Sequence, residues 1–307
     1  MSVEPLKQMT KAEMAIVEAF EAAQVSLPGA ASAREAAIAA FKQNGLPTRR
    51  VEAWHYTDLR GGLTEFDTVE GHSDAAPIQP LVNTEGQDAP GFNMSKFSPD
   101  NTSFSFHGAD DAIGQINAAF ADNGLHCLID EGASFDVPLE FVTQVNGGAK
   151  HNRHTITVSK DAEVTFVERQ VGVGGVGTAV TNMDIEDGAN VVYVIVQQTS
   201  TASTHLGQIN VTLGENTNFL LFILNAGGKL VRQEVRVTVA GEGADFQLRG
   251  VNLIGDGQHI DVTMDLAHNV PNTTSEEIIR NIITGKGKGV FQGKIAVNKI
   301  AQKTDAK

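Results

Sequence analysis

The 307-residue chain carries 23 lysines and arginines against 37 aspartates and glutamates, a formal charge of −14. That acidity argues against a nucleic-acid backbone as main partner, because phosphate binding needs a basic surface. No apolar run approaches the roughly eighteen residues of a membrane-spanning helix, and a single cysteine, Cys127, excludes an internal disulfide framework.

Met1 to Lys11 holds no apolar stretch of the signal-peptide kind, so a cytoplasmic protein is expected. Thr10-Lys11-Ala12-Glu13 fits a capping box, in which hydroxyl and carboxylate each satisfy an orphan backbone donor. Ile16, Val17 and Phe20 then supply the apolar stripe of a first helix. Ser32-Ala33-Arg34-Glu35 repeats the start signal for a second, with Ile38 and Phe41 on one face and Gly45 as a stop before Pro47. From Gly61 to Pro99 the composition shifts to Gly, Pro, Asp, Asn and Ser, which reads as loop with short strands. A third helix is expected from Asp110, carrying Ile113, Ile116 and Phe120 and ending at Asn123-Gly124. Residues 1–123 thus read as an N-terminal helical domain with a loop-rich connection, and residues 124–307 as a β domain.

After Gly124 the period falls to two. Leu125, Cys127 and Ile129 alternate, as do Val235, Val237 and Val239, and Ile260, Val262, Met264 and Leu266. Alternation means one buried and one wet face per strand. A five-fold echo runs through this region. Gly132-Ala133-Ser134-Phe135 returns as Asp161-Ala162-Glu163-Val164, Gly188-Ala189-Asn190-Val191, Asn216-Thr217-Asn218-Phe219 and Gly243-Ala244-Asp245-Phe246. A turn plus an apolar strand at a near-constant spacing marks a solenoid, whose repeats must stack to bury their apolar faces. The fold class is therefore mainly β, a parallel β-helix with an apolar bore. Phe135, Val164, Val191, Phe219 and Phe246 are expected to stack as a ladder along that bore. A β-sandwich with regular hairpins is the rival, and Gly172 to Gly177 would suit one of its loops.

Several residues invite a functional reading. Gly172-Val173-Gly174-Gly175-Val176-Gly177 matches GxGxxG, but a phosphate loop needs a helix after it, and Thr178 to Ile185 alternates like a strand. A flexible loop between strands is expected instead. His126 and Cys127 are neighbours, yet adjacent strand residues point to opposite faces. Cys127 shares its face with Leu125 and Ile129 and reads as a buried, inert thiol. One cysteine also means that the chain cannot by itself supply four thiolates to an iron–sulfur cluster. His151 and His154 diverge on extended chain and read as surface histidines. His259, Asp261, Thr263 and Asp265 share an outer face, read as solvated. An Asp-rich face of this kind with a nearby arginine would suit a carbohydrate-cleaving β-helix, and Arg249 is the nearest arginine in sequence.

Gly45-Leu46-Pro47-Thr48-Arg49-Arg50 with Glu52-Ala53-Trp54-His55-Tyr56-Thr57-Asp58-Leu59 looks like the N-terminal signature of the SufB/SufD family, SufD in particular. Asp261, His268, Pro271 and Ser275, then Val290-Phe291-Gln292-Gly293-Lys294-Ile295 and Ala301-Gln302-Lys303-Thr304-Asp305-Ala306, are similar to its most characteristic block. Ile116 to Ile129 also fits, whereas Arg280-Asn281 stands where the family often has Lys-Gly. The resemblance implies a helical N-terminal domain, a right-handed parallel β-helix and a C-terminal helical domain. It implies a non-catalytic scaffold of a SufBCD complex, with SufB and the ATPase SufC as partners. Clusters are built on that complex from persulfide sulfur and ferrous iron. It assigns no catalytic and no cofactor-binding residue here, leaves metal ligands unknown, and places any iron–sulfur cluster transiently on the intact complex. The family continues past the last block, so a missing C-terminal part, a lost SufC contact and self-association through the apolar last coil are expected. A carbohydrate-active β-helix enzyme and a generic solenoid binding module are the alternatives.

Overall fold

The computed structural model describes residues 8–29, 31–66, 91–98 and 102–307. Most of the expected loop between Gly61 and Pro99 lies outside the described residues. Helix α1 (Lys11–Ala23) begins at the anticipated capping box: the Glu13 amide donates to Thr10 Oγ1 at 3.2 Å and the Thr10 amide to Glu13 Oε2 at 2.6 Å. Helix α2 (Ala31–Asn44) starts earlier than expected, so Ser32 sits inside its first turn. Buried Arg34 sets that start, donating to the carbonyls of Pro28 (2.9 Å) and Gly29 (3.3 Å) before the helix and of Ala119 and Ala121 across from it. Gly45, at φ +68°, ends α2 with its amide on the Phe41 carbonyl, the left-handed cap that glycine adopts without steric cost. A 3₁₀ turn (Glu52–Trp54) and the short α3 (Leu59–Gly62) follow. Next come β1 (Phe92–Lys96) and α4 (Ala112–Phe120), the latter capped by Asp111 and buried on all sides.

The strands β2 (Leu125–Ile129), β3 (Leu139–Val158), β4 (Glu163–Ile185), β5 (Asn190–Thr199), β6 (Ser203–Leu213), β7 (Asn218–Asn225), β8 (Leu230–Val239), β9 (Asp245–Ile254), β10 (His259–His268), β11 (Thr274–Ile283), β12 (Lys288–Val297) and β13 (Asp305–Ala306) wind into a parallel β-solenoid of about six turns. The order β4-β5-β7-β9-β11-β13 forms one wall and β4-β6-β8-β10-β12 the other. The long β3 and β4 run through both walls, and β1 closes one end by pairing antiparallel with β2. The sandwich alternative fails because consecutive coils pair in parallel.

The expected ladder is present: Val164 pairs with Val191, Val191 with Phe219 and Phe219 with Phe246. The rings of Phe219 and Phe246 stack at 5.7 Å. Phe135 ends the row, only partly buried, with Phe92 of β1 edge-on at 5.8 Å. The first residue of each echo is the turn itself. Gly132, Asp161, Gly188, Asn216 and Gly243 all have positive φ between 54° and 76°, where glycine and, less readily, Asn and Asp fit. Asn272 and Lys303 also take positive φ, revealing two more turns, Asn272-Thr273-Thr274-Ser275 and Lys303-Thr304-Asp305-Ala306. Their fourth residues continue the ladder, Ser275 against Phe246 and Ala306 against Ser275.

Two expectations need correction. The stretch Gly172 to Gly177 is not a loop but the bend at which β4 passes from one wall to the other. A Cβ on Gly172 would lie 2.0 Å from the Val145 carbonyl oxygen, and one on Gly175 would lie 2.1 Å from that of Gly148. Close stacking of this bend on the coil beneath therefore requires the glycines. The bore is also not uniformly apolar. Beside this same corner an inward row of amides runs from coil to coil: Gln170, Gln197, Asn225, Asn252 and Asn281. Asn225 Nδ2 donates to Asn252 Oδ1 at 2.8 Å and Asn252 Nδ2 to Asn281 Oδ1 at 2.7 Å. Identical amides one strand spacing apart satisfy each other without water.

Phe219 is 1% exposed, so Phe219→Ala should lower unfolding stability by about 3–5 kcal/mol. Urea titration with an unchanged denaturant slope is the measurement. A loss below about 1 kcal/mol would contradict the ladder.

Candidate functional site at the junction of the N-terminal segment and the solenoid

The two signature stretches meet in space. The segment from Glu52 to Leu59 lies across the outer face of the β6-β8-β10 wall, where alternation presents Arg232, Glu234, Asp261 and Thr263 outward. Arg232 is fully buried and its guanidinium carbon stands 3.8 Å from the Trp54 ring centroid. It donates to Asp261 Oδ2 at 2.6 Å, Glu234 Oε1 at 2.9 Å and the Ala53 carbonyl at 2.7 Å. Thr57 Oγ1 donates to the same Asp261 oxygen and lies 2.9 Å from His259 Nε2, while Thr263 Oγ1 donates to Asp261 Oδ1 at 2.9 Å. Glu234 Oε2 accepts from Arg236 at 2.8 Å. Arg236 Nη2 donates to Asp111 Oδ1 at 3.2 Å, and its Nη1 lies 3.1 Å from Asp111 Oδ2. Charges thus alternate along Asp261, Arg232, Glu234, Arg236 and Asp111. Burial disfavours the Asp111 carboxylate, but His107, Arg236 and Gln208 outweigh it and hold its pKa well below the usual carboxylate range.

This arrangement corrects two readings. His259, Asp261, Thr263 and Asp265 do share one face, but the face is not solvated: Asp261 and Thr263 are buried beneath the N-terminal segment, and only Asp265 is exposed, beside Lys294. The arginine beside Asp261 is Arg232, one coil away. Arg249 lies on the opposite wall, paired with Glu276.

A second polar cluster occupies the bore. Glu168 is 1% exposed and accepts from Thr143 Oγ1 at 2.8 Å, Tyr193 Oη at 2.9 Å and Gln170 Nε2 at 3.0 Å. Burial, then Glu168, pushes the Tyr193 hydroxyl pKa well up. His154 is in this cluster, 3.3 Å from Thr143 Oγ1 and beside Phe141. His151 points the other way, stacked on Phe120 at 5.0 Å and Phe66 at 6.0 Å. The two histidines diverge as expected, but neither is on the surface, being 6% and 0% exposed. His205, whose ring nitrogens have no hydrogen-bond partner among the described residues, is a third buried histidine that the sequence reading passed over. Its inward position on β6, two residues from Gly207, was the available signal. Cys127 is buried as anticipated, and burial pushes its thiol up to about 12. It is a packed, inert thiol at neutral pH. Among the described residues no group of three or more His, Cys, Asp or Glu side chains is arranged to hold a metal ion, and no helix is long and apolar enough to cross a membrane.

With this geometry in place, the comparisons are direct. Residues 141–307 match the family model for the SUF system FeS cluster assembly SufBD core domain, and residues 18–67 match the SufBD protein N-terminal region. The chain belongs to the SufBD family. It is similar to the iron–sulfur cluster assembly protein SufD of Escherichia coli K12, 24% identical over 291 residues, covering 86% of this chain and 69% of that protein. It is also similar to SufB of Bacillus subtilis, 24% identical over 190 residues, and to a SufBD family protein of Staphylococcus saprophyticus, 25% identical over 191. Each of these two matches covers 60% of this chain and 41% of the relative.

Removing Asp261 would leave the Arg232 charge buried without its closest partner. Asp261→Ala should therefore cost about 3–5 kcal/mol, and fluorescence of the single tryptophan, Trp54, should shift to the red as the segment loosens. A denaturation loss under about 1 kcal/mol with an unshifted spectrum would show that the clamp is dispensable.

Burial lowers the pKa of His151 to about 3 and of His205 to about 4, and lowers that of His154 as well. Below about pH 6.5 the unfolded chain takes up protons that the fold refuses, so stability is complete above that pH and drains as pH falls toward 4. His151→Phe, which keeps the stack with Phe66 and Phe120, should flatten the fall of the urea midpoint between pH 6.5 and 4. An unchanged slope would refute this.

Proposed function

We propose that the chain serves as a non-catalytic scaffold subunit of a cytoplasmic SufBCD complex in which iron–sulfur clusters are assembled, with SufB as direct partner and SufC as a further member. The match of residues 141–307 to the SufBD core domain, coincident with the solenoid, carries this reading. The site chemistry supports it. The buried charges of the junction are engaged with one another, which suits a fixed platform. Fe–S clusters are held chiefly by cysteine thiolates, and the one cysteine here is a buried thiol with a raised pKa. Cluster and iron are therefore cargo of the complex, and the chain holds no cofactor alone.

Co-expression of the tagged chain with SufB and SufC is the test. Retention of SufB through size exclusion, and iron–sulfur absorbance that appears with SufB but not with the chain by itself, are expected. Failure to retain SufB, or cluster formation on the isolated chain, would overturn the proposal.

A further inference from the structure

The junction leaves a basic cleft on an acidic protein. A cavity of about 600 Å³ opens where the Thr48–Tyr56 stretch meets the start of β10 and β12, and Arg49, His55, Tyr56, His259 and Lys288 line it. No carboxylate is among its lining residues. A second depression shares Arg49 and adds Arg50, with Asp58 and the Glu13-paired Arg60 also lining it. The nearby acids are committed elsewhere: Asp261 to Arg232, Glu13 to Arg60, and Asp58 to the Gly61 amide. Arg49, Arg50 and Lys288 have no ion-pair partner among the described residues and project from exposed positions. Arg49 and Lys288 line the same cavity as the His259 ring. Burial first, then Lys288, Arg49 and Arg232, lower the pKa of His259 against the opposing pull of Asp261. Unpaired cations gathered in a concavity, on a chain of charge −14, are retained at a cost in mutual repulsion that an anion would relieve.

The cavity falls within the roughly 300–1,000 Å³ range of small-molecule sites, and the mix of side chains narrows the class. A guanidinium fork matches phosphate oxygens in pairs, and a lysine supplies a point charge beside it. Tyr56 is 55% exposed and is braced edge-on by His55 at a centroid distance of 4.8 Å. An exposed, braced aromatic ring next to free cations suits a planar group joined to phosphates. We propose that this cleft binds a small organic diphosphate bearing a planar ring, a nucleoside diphosphate in chemistry, with its phosphates on Arg49 and Lys288 and its ring against Tyr56.

Isothermal titration of the 307-residue chain with ADP, adenosine and inorganic pyrophosphate is the experiment. One ADP per chain is expected, weakening with added salt. Arg49→Gln and Lys288→Gln should each lower ADP affinity about tenfold, the usual scale for a lost hydrogen bond to a charged group. Tyr56→Ala should weaken ADP while leaving pyrophosphate unchanged, and Lys42→Gln, which lines neither depression and pairs with Glu21, should change nothing. These side chains are exposed, so circular dichroism should show unaltered folding. Absence of ADP binding at millimolar concentration would overturn the proposal, as would adenosine or pyrophosphate binding as tightly as ADP. So would a hexaglutamate peptide that binds where ADP does not, which would mark the cleft as a dock for an acidic protein segment.

Discussion

Every coil of this protein reverses at one residue forced to positive φ, and the rest of the structure depends on that constraint. A residue in this conformation turns the chain within four positions and passes it from the β4-β6-β8-β10 wall to the β5-β7-β9-β11 wall, one strand spacing along from the coil before. Repeating it at Gly132, Asp161, Gly188, Asn216, Gly243, Asn272 and Lys303 keeps successive coils in register. Register aligns Phe219 over Phe246 and Asn225 over Asn252. A slip of one residue would turn both rows outward, because the side-chain period is two. Six of the seven turn positions are Gly, Asp or Asn, the residues that tolerate this conformation most readily.

That same constraint is why so much of the fold was legible. A turn that admits few residue types, followed by a buried position, leaves a mark at each repeat, and five marks disclosed the solenoid. The last two turns leave a weaker mark because no large apolar residue fills their fourth position. Ser275 and Ala306 stand there, and only the turn residue survives as a signal. The capping box at Thr10 was legible because its bonds close within four residues. The start of α2 was not, because Arg34 fixes it through carbonyls as distant as Ala119 and Ala121.

Alternation along a strand reveals two faces but not what lies against each. The outer face of β10 reads the same whether water or another segment covers it, so the burial of Asp261 was invisible. His151 was misjudged for that reason: its cover comes from Phe66 and Phe120, far away in sequence. His154 was misjudged for the opposite reason, since the bore into which it points carries Thr143 and Glu168 where an apolar lining was expected. In a solenoid the neighbours that matter are one coil away. Arg232 meets Glu234 two residues along its own strand and Asp261 29 residues on. Arg249, nearer to Asp261 in sequence, belongs to the other wall.

The charged junction also bears on why the N-terminal segment sits where it does. An apolar contact of equal area would hold the segment to the wall but would tolerate sliding along a surface that repeats at every coil. Ion pairs taken out of water gain little net stability, and misplacing one partner is costly. The sequence of signs from Asp261 through Arg232, Glu234 and Arg236 to Asp111 is read at one position only, and Trp54 under Arg232 adds a shape that no other coil matches. The clamp therefore contributes register more than adhesion. Register in turn brings Arg49 beside Lys288, residues that the sequence separates by most of the chain. A solenoid wall alone would carry Lys288 as one more solvated charge, and the segment alone would carry Arg49 likewise. Only their fixed juxtaposition creates a concave positive site on an acidic protein.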